Sequence, residues 1–132
     1  MKPLLVRDDL VYPELSYDII GCAFEVLNEL GPGHLEKFYQ KALSIALSGK
    51  KIEFKEQVYH TLKFKDKIIG KMYFDFLVEE KIIVELKKDN RFSKQHIDQV
   101  LTYLKSANLK LGILINFSNN GVLYKRILNT PK

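Results

Sequence analysis

Residues Lys71–Lys88 read KMYFDFLVEEKIIVELKK, and their alternation predicts two strands joined by a short polar turn. Strand residues point alternately to opposite faces. Met72, Phe74, Phe76 and Val78 therefore share one side of the first strand, and Ile82, Val84 and Leu86 share one side of the second. A turn at Glu79-Glu80-Lys81 pairs Val78 with Ile82, Phe76 with Val84 and Phe74 with Leu86. That register unites the two apolar faces, and a slip of one residue would separate them. It also sets Asp75 opposite Glu85, with Cβ atoms about 5 Å apart, and turns Lys87 to the same side as Glu85.

Two facing carboxylates repel and ordinarily weaken a sheet. A hard divalent cation such as Mg²⁺ between them reverses that sign, because it seeks carboxylate oxygens. Lys87 then adds positive charge where a phosphate or an attacking water would sit. The pattern supports a metal site for phosphodiester hydrolysis. The same residues also describe an exposed strand face with a solvated charge cluster, and spacing alone leaves both readings open. Tyr73, Leu77 and Ile83 share that face, which argues against its free exposure.

Working outward, Ser16 caps a predicted helix over Tyr17–Leu30, with Ile20, Ala23, Leu27 and Leu30 as its apolar stripe. Gly31-Pro32-Gly33 stops it. A second helix, about Leu35–Ser48, turns Leu35, Phe38, Tyr39, Ala42 and Ala46 inward and ends at Gly49. Glu36 lies on the flank of that stripe. It either approaches the sheet as a third acidic group or, with Gly33 as N-cap, bonds free amides in the first turn and favours the helix dipole. Tyr39 reads as a packing residue. Residues 51–64 predict one or two strands before a turn near Lys65-Asp66-Lys67.

Beyond the hairpin, a helix at about Lys94–Ser106 presents Ile97, Val100, Leu101 and Leu104 to the sheet. Gln99 and Tyr103, four apart, then lie together on the wet side. There they either hold a base or phosphate of a substrate or cover a neighbouring loop. A last apolar strand, Leu111–Phe117, is followed by the turn Ser118-Asn119-Asn120-Gly121 and an edge strand, Val122–Ile127. His34, His60 and His96 have no mutual metal-ligand spacing and receive no catalytic role, although His96 borders the wet side near Gln95.

Composition bounds the function without choosing it. A chain of 132 residues, 46% hydrophobic and 28% charged, can bury one core without disulfides or structural metal. We expect a single domain over 1–132, with no linker or repeat. The one cysteine, Cys22, cannot form an intrachain bridge and reads as a small core residue in a reducing compartment. No apolar run spans a bilayer, and the opening MKPLLVRDDL has no hydrophobic signal segment. The expected location is the cytoplasm, with no membrane partner. A net charge of +5 favours a polyanionic partner, although the lysines are dispersed. No cysteine–histidine or serine–histidine pattern offers a nucleophile and base for metal-independent chemistry.

The hairpin with Asp75 and then Glu85-Leu86-Lys87 resembles the signature of the PD-(D/E)XK nuclease superfamily, with Phe74 where the name has proline. Gly33-His34-Leu35-Glu36-Lys37-Phe38-Tyr39 fits the motif that names one bacterial and archaeal branch, the GxxExxY proteins, and the phrases LVEEKIIVELK and LKLGILINF also resemble that branch. Gln99-x-x-x-Tyr103 resembles the Q-x-x-x-Y helix motif of recombination-type exonucleases in the superfamily. The resemblance runs from about Ser16 to Ile127.

This resemblance implies an α/β (α+β) fold with a restriction-endonuclease-like core, helix–three strands–helix–strand around a central mixed sheet. The first helix and the last edge strand are additions to it. It also implies a divalent-metal-dependent nuclease acting on DNA in preference to RNA. Asp75, Glu85, the Leu86 carbonyl and Glu36 would hold Mg²⁺ or Mn²⁺, Lys87 would complete the catalytic set, and Gln99 and Tyr103 would bind substrate. A second copy or a protein partner would supply specificity. The alternative is a catalytically silent nucleic-acid-binding or protein-interaction module on the same scaffold.

Overall fold

The strand Leu111–Ser118 is buried along its whole length, as a run apolar on both faces requires when helices cover a sheet on both sides. A computed structural model of the chain describes residues 11–129; the opening segment read above for a signal sequence lies outside them. The elements are α1 (Pro13–Leu30), α2 (Glu36–Gly49), β1 (Phe54–Phe64), β2 (Lys67–Val78), β3 (Ile82–Lys87), α3 (Lys94–Ala107), β4 (Leu111–Ser118) and β5 (Gly121–Leu128). The sheet order is β1-β2-β3-β4-β5. Among the described residues only β3 and β4 run parallel, and α3 is the crossover that a parallel pair needs. The fold is the expected α+β arrangement, a mixed sheet between helices.

The sheet separates two apolar layers. Ile19, Cys22, Val26, Tyr39, Leu43 and Leu47 of α1 and α2 pack on Phe76, Val78, Ile82, Val84 and Leu86. On the other side Val100, Tyr103 and Leu104 of α3 pack on Phe74, Ile83 and Leu114. Burying the Cys22 thiol raises its pKa, as removal of a thiolate from water does, and leaves it a core residue.

Several details differ from the sequence reading. Helix α1 starts at Pro13, not Tyr17, because proline at the first helical position forgoes only an amide that would have no partner there. Ser16 is therefore buried inside the helix, its Oγ without a hydrogen-bond partner among the described residues. The inward stripe of α1 is Ile19, Cys22, Ala23, Val26 and Leu27, while Leu30 is exposed. In α2 the N-cap is Leu35 rather than Gly33, which makes Glu36 the first helical residue. Tyr39, Leu43 and Leu47 are its buried residues, and Leu35 and Phe38 are exposed.

The largest correction concerns β2. Met72 and Phe74 do not share a face with Phe76 and Val78: the first pair packs in the α3 layer and the second in the α1/α2 layer. Strand β1 changes face in step, since Phe54 packs in one layer and Val58 in the other. The switch falls where Gln57 adopts φ 51° and the β1–β2 pairing lapses between Glu56↔Phe76 and Val58↔Phe74. One irregular residue is enough to invert an alternation of period two.

Helix α3 lies close on β4 at Gly112, where an added Cβ would stand 2.5 Å from Val100 Cγ1. Val100 is itself buried and β-branched, so it has little freedom to move aside. Gly112→Ala should destabilise the protein by roughly 1–3 kcal/mol through overpacking. Urea unfolding should show a lower midpoint at an unchanged slope.

Candidate functional site

Strands β2 and β3 stay paired only from Val78↔Ile82 to Phe76↔Val84. Up to that point the predicted register is the observed one. Beyond it the two strands part, so Asp75 and Glu85 do not face each other as a simple ladder pair. The amides that lose ladder partners find side chains instead, as buried backbone donors must. Leu86 N–H donates to Asp75 Oδ2 at 2.8 Å, and Asp75 N–H donates to Glu85 Oε1 at 3.2 Å. Each acid thus accepts a backbone hydrogen bond from the opposite strand. Lys87 Nζ stands 3.3 Å from Glu85 Oε2, and these two side chains are only 22% and 17% exposed.

This arrangement strains the ionised state. Burial raises the Asp75 pKa, offset by the Leu86 amide, Glu85 and Lys87. Burial is also the largest influence on Glu85, followed by the charge on Asp75; together they push it up to about 7 against the opposing pull of Lys87 and the Asp75 amide. One lysine does not neutralise two carboxylates. The site can accept more positive charge, and the donors it offers are hard oxygens of the kind that divalent ions of the Mg²⁺ class take.

Glu36 approaches from the start of α2, where its Oε2 accepts from the Lys88 amide at 3.3 Å. It thereby borders the end of β3 without joining the acidic pair: among the described residues no three His, Cys, Asp or Glu side chains gather as a metal-holding group. Leu86 is buried, and its amide is what touches Asp75. The remainder of the G-x-x-E-x-x-Y motif has a structural explanation. Gly33 takes φ 96°, and Tyr39 OH donates to Gly31 O at 2.7 Å while accepting from the His34 amide at 3.2 Å. The Tyr39 ring stacks on Phe117 with centroids 4.4 Å apart. This tyrosine ties the α1–α2 loop to β4 beside Glu36.

Gln99 and Tyr103 do not sit together on a wet face. Gln99 is exposed, whereas Tyr103 is 4% exposed and packs edge-on against Phe74 and His60 at 4.5 and 5.5 Å. The kink in β2 turns Phe74 toward α3, and Tyr103 fills the space above it. Its ring is therefore closed to stacking by a substrate. His96 is a half-buried residue in the first turn of α3, its amide bonded to the Ser93 cap.

Three supporting residues escaped the sequence reading. Gln57 Nε2 donates to Gln40 Oε1 at 3.1 Å, and Gln40 Nε2 reaches Glu56 Oε1 at 3.4 Å, which ties the kinked strand to α2. Asn116, paired with Lys87 in the β3–β4 register, is buried and donates to Arg91 O at 2.8 Å, holding the β3–α3 loop. A buried asparagine inside the apolar run LGILINFS was the available signal for the last of these. Nothing in the local pattern marked the two glutamines.

A family model described as the PD-(D/E)XK nuclease superfamily matches residues 13–127; the chain belongs to that superfamily. A comparison with curated proteins returned no match. Among solved structures, the chain resembles the crystal structure of SSO0001, with 17% identity and a TM-score of 0.57 over 96% of this chain. It spans 61% of that protein's length. It also resembles an alkaline exonuclease (LHK-Exo) from Laribacter hongkongensis, at 12% identity and a TM-score of 0.53, covering 98% of this chain and 73% of the other. At these identities the likeness speaks for the fold.

The raised acid pKa has a stability consequence with a definite sign. A carboxyl group with a folded pKa above its unfolded value binds more protons when folded, so stability is lost as pH rises between the two values. For Glu85 that window runs from 4.5 to about 7. In chelator, the melting temperature should fall across this range. Glu85→Gln should flatten the dependence and stabilise the metal-free protein at pH 8 by roughly 1–3 kcal/mol, measured by thermal denaturation.

Proposed function

We propose that this member of the PD-(D/E)XK nuclease superfamily is a divalent-metal-dependent phosphodiester hydrolase acting on nucleic acid, DNA in preference to RNA. The observation that carries the reading is the crossed pair of acids, Asp75 and Glu85, each held by an amide of the opposite strand beside Lys87. A Mg²⁺ or Mn²⁺ ion held by Asp75 and Glu85, with the Leu86 carbonyl, would offset charge on the scissile phosphate and lower the pKa of water. The Gly33, Glu36 and Tyr39 spacing supports placement in the GxxExxY branch.

The chain's own residues divide the remaining work. The two amide bonds fix both carboxylates before substrate arrives, so little reorganisation is needed during reaction. Lys87, held near Glu85, can donate to a non-bridging phosphate oxygen and orient the attacking water. Glu36, anchored on the Lys88 amide at the rim, would hold a further water or hydrated ion. Gln99 is exposed on α3 and can meet the flanking nucleic-acid backbone. Tyr103 supports Phe74 and, through it, the course of β2 into Asp75.

Asp75→Ala, Glu85→Ala and Lys87→Ala should each lower cleavage by at least about a hundredfold, on the scale of losing one pre-organised electrostatic group, with the circular dichroism spectrum retained. Labelled single-stranded DNA, duplex DNA and RNA incubated with and without Mn²⁺ provide the assay. Cleavage by Glu85→Ala at the wild-type rate would remove the proposal. Binding of nucleic acid by the wild type, with no cleavage and no response to Mg²⁺ or Mn²⁺, would favour the catalytically silent module.

A further inference from the structure

The β1–β2 ribbon beyond the kink carries a surface that the proposed chemistry does not use. Tyr59 and Tyr73 are paired across the strands, 54% and 58% exposed, with ring centroids 5.8 Å apart and planes tilted by 43°. Lys71 Nζ lies 4.5 Å from the centroid of the Tyr59 ring. The opposite face of the ribbon is anchored: Met72 and Val58 pack in the α3 layer, and His60 meets Tyr103. The outward rings are therefore held in place without a partner of their own kind from α1, α2 or α3 among the described contacts.

Two large rings exposed to water on a fixed ribbon waste apolar contact unless something covers them. Charge says what. The ribbon between Tyr59 and Tyr73 holds Lys63, Lys65, Lys67 and Lys71 against one acid, Asp66. Tyr73 precedes Asp75 by two residues on the same strand, and β2 exchanges faces at Asp75, so the platform borders the acidic pair along the strand. Aromatic rings interleaved with lysines suit a backbone of phosphates carrying unstacked bases. A duplex hides its base faces and cannot offer them to such rings.

We propose that Tyr59, Tyr73 and Lys71 form a platform that binds single-stranded nucleic acid beside Asp75. The bases stack on the two tyrosines and the lysines meet the flanking phosphates. This rests on the nuclease reading for the use made of the bound strand, while the binding itself needs no metal and no cleavage. The other occupant to consider is a second copy of the chain, laid along β1, which is an edge strand of the sheet.

The test is fluorescence anisotropy of a labelled oligothymidylate, about 20 nucleotides long so that it exceeds typical single-strand site sizes, titrated with the full chain in EDTA. Its duplex counterpart is run in parallel. Tyr59→Ala and Tyr73→Ala should each weaken single-strand binding by roughly fivefold to a hundredfold and leave the weaker duplex binding nearly unchanged. Lys71→Ala should reduce the salt slope by about 0.7. Tyr124→Ala, which removes an exposed aromatic from β5, should bind as the wild type does. Wild-type binding by the Tyr59→Ala/Tyr73→Ala double variant would overturn the platform even if Mn²⁺-dependent cleavage persists. A shift from dimer to monomer by light scattering in that variant, with single-strand affinity unchanged, would overturn it in favour of the second copy. Loss of single-strand binding in the variants of a chain that never cleaves would uphold the platform and remove the nuclease reading.

Discussion

Everything near the site depends on two hydrogen bonds that run between a carboxylate and the backbone of the facing strand. Where β2 and β3 part, Asp75 and Glu85 take over the pairing that the ladder abandons. The same bonds that close the hairpin hold the chemistry-bearing groups in place. Their cost is electrostatic, since two partly buried acids share a space with one close cation, Lys87, among the described residues. The hydrogen bonds oppose that repulsion but do not remove it.

The kink that parts the strands also organises the rest of the molecule. Gln57 and Asp75 fall at the lapse in the β1–β2 pairing, where both strands exchange faces, so Phe76 and Val78 pack in the α1/α2 layer and Met72 and Phe74 in the α3 layer. Gln40 steadies the kink from α2, and Phe74 with Tyr103 steadies it from α3. On a straight β2, Met72, Phe74, Phe76 and Val78 would all face a single layer. The site lies at the crossover between two cores, and each core helps to hold the irregular backbone.

Much of this was legible in the residues, for identifiable reasons. The turn at Glu79-Glu80-Lys81 determined the register from Val78 to Phe76, because only one pairing unites the apolar faces. The apolar run at Leu111–Phe117 announced a central strand. The alternation rule failed at Phe74, since the sequence carries no glycine or proline there to mark the kink, and Gln57 adopts a positive φ that its identity does not predict. Tyr103 was placed on a wet face because helical spacing sets it apart from Ile97 and Leu101. The twisted ribbon covers a wider arc of α3 than that stripe allowed. For Glu36 the spacing leaves two readings open, and its partner, the Lys88 amide, lies far along the chain where no local pattern could name it.

The short span of the hairpin also bears on the order in which the protein forms. The bonds joining Asp75, Glu85 and Leu86 close loops of only 10 and 11 residues, whereas Glu36 and Lys88 are separated by 52. Loop closure at short range costs little entropy and precedes distant docking. On that ordering the acids would meet while still surrounded by water, when their mutual repulsion is slight. The penalty arrives as the helices settle and the dielectric drops, late on the folding coordinate, so this electrostatic tension belongs to the lifetime of the native state more than to the speed of reaching it.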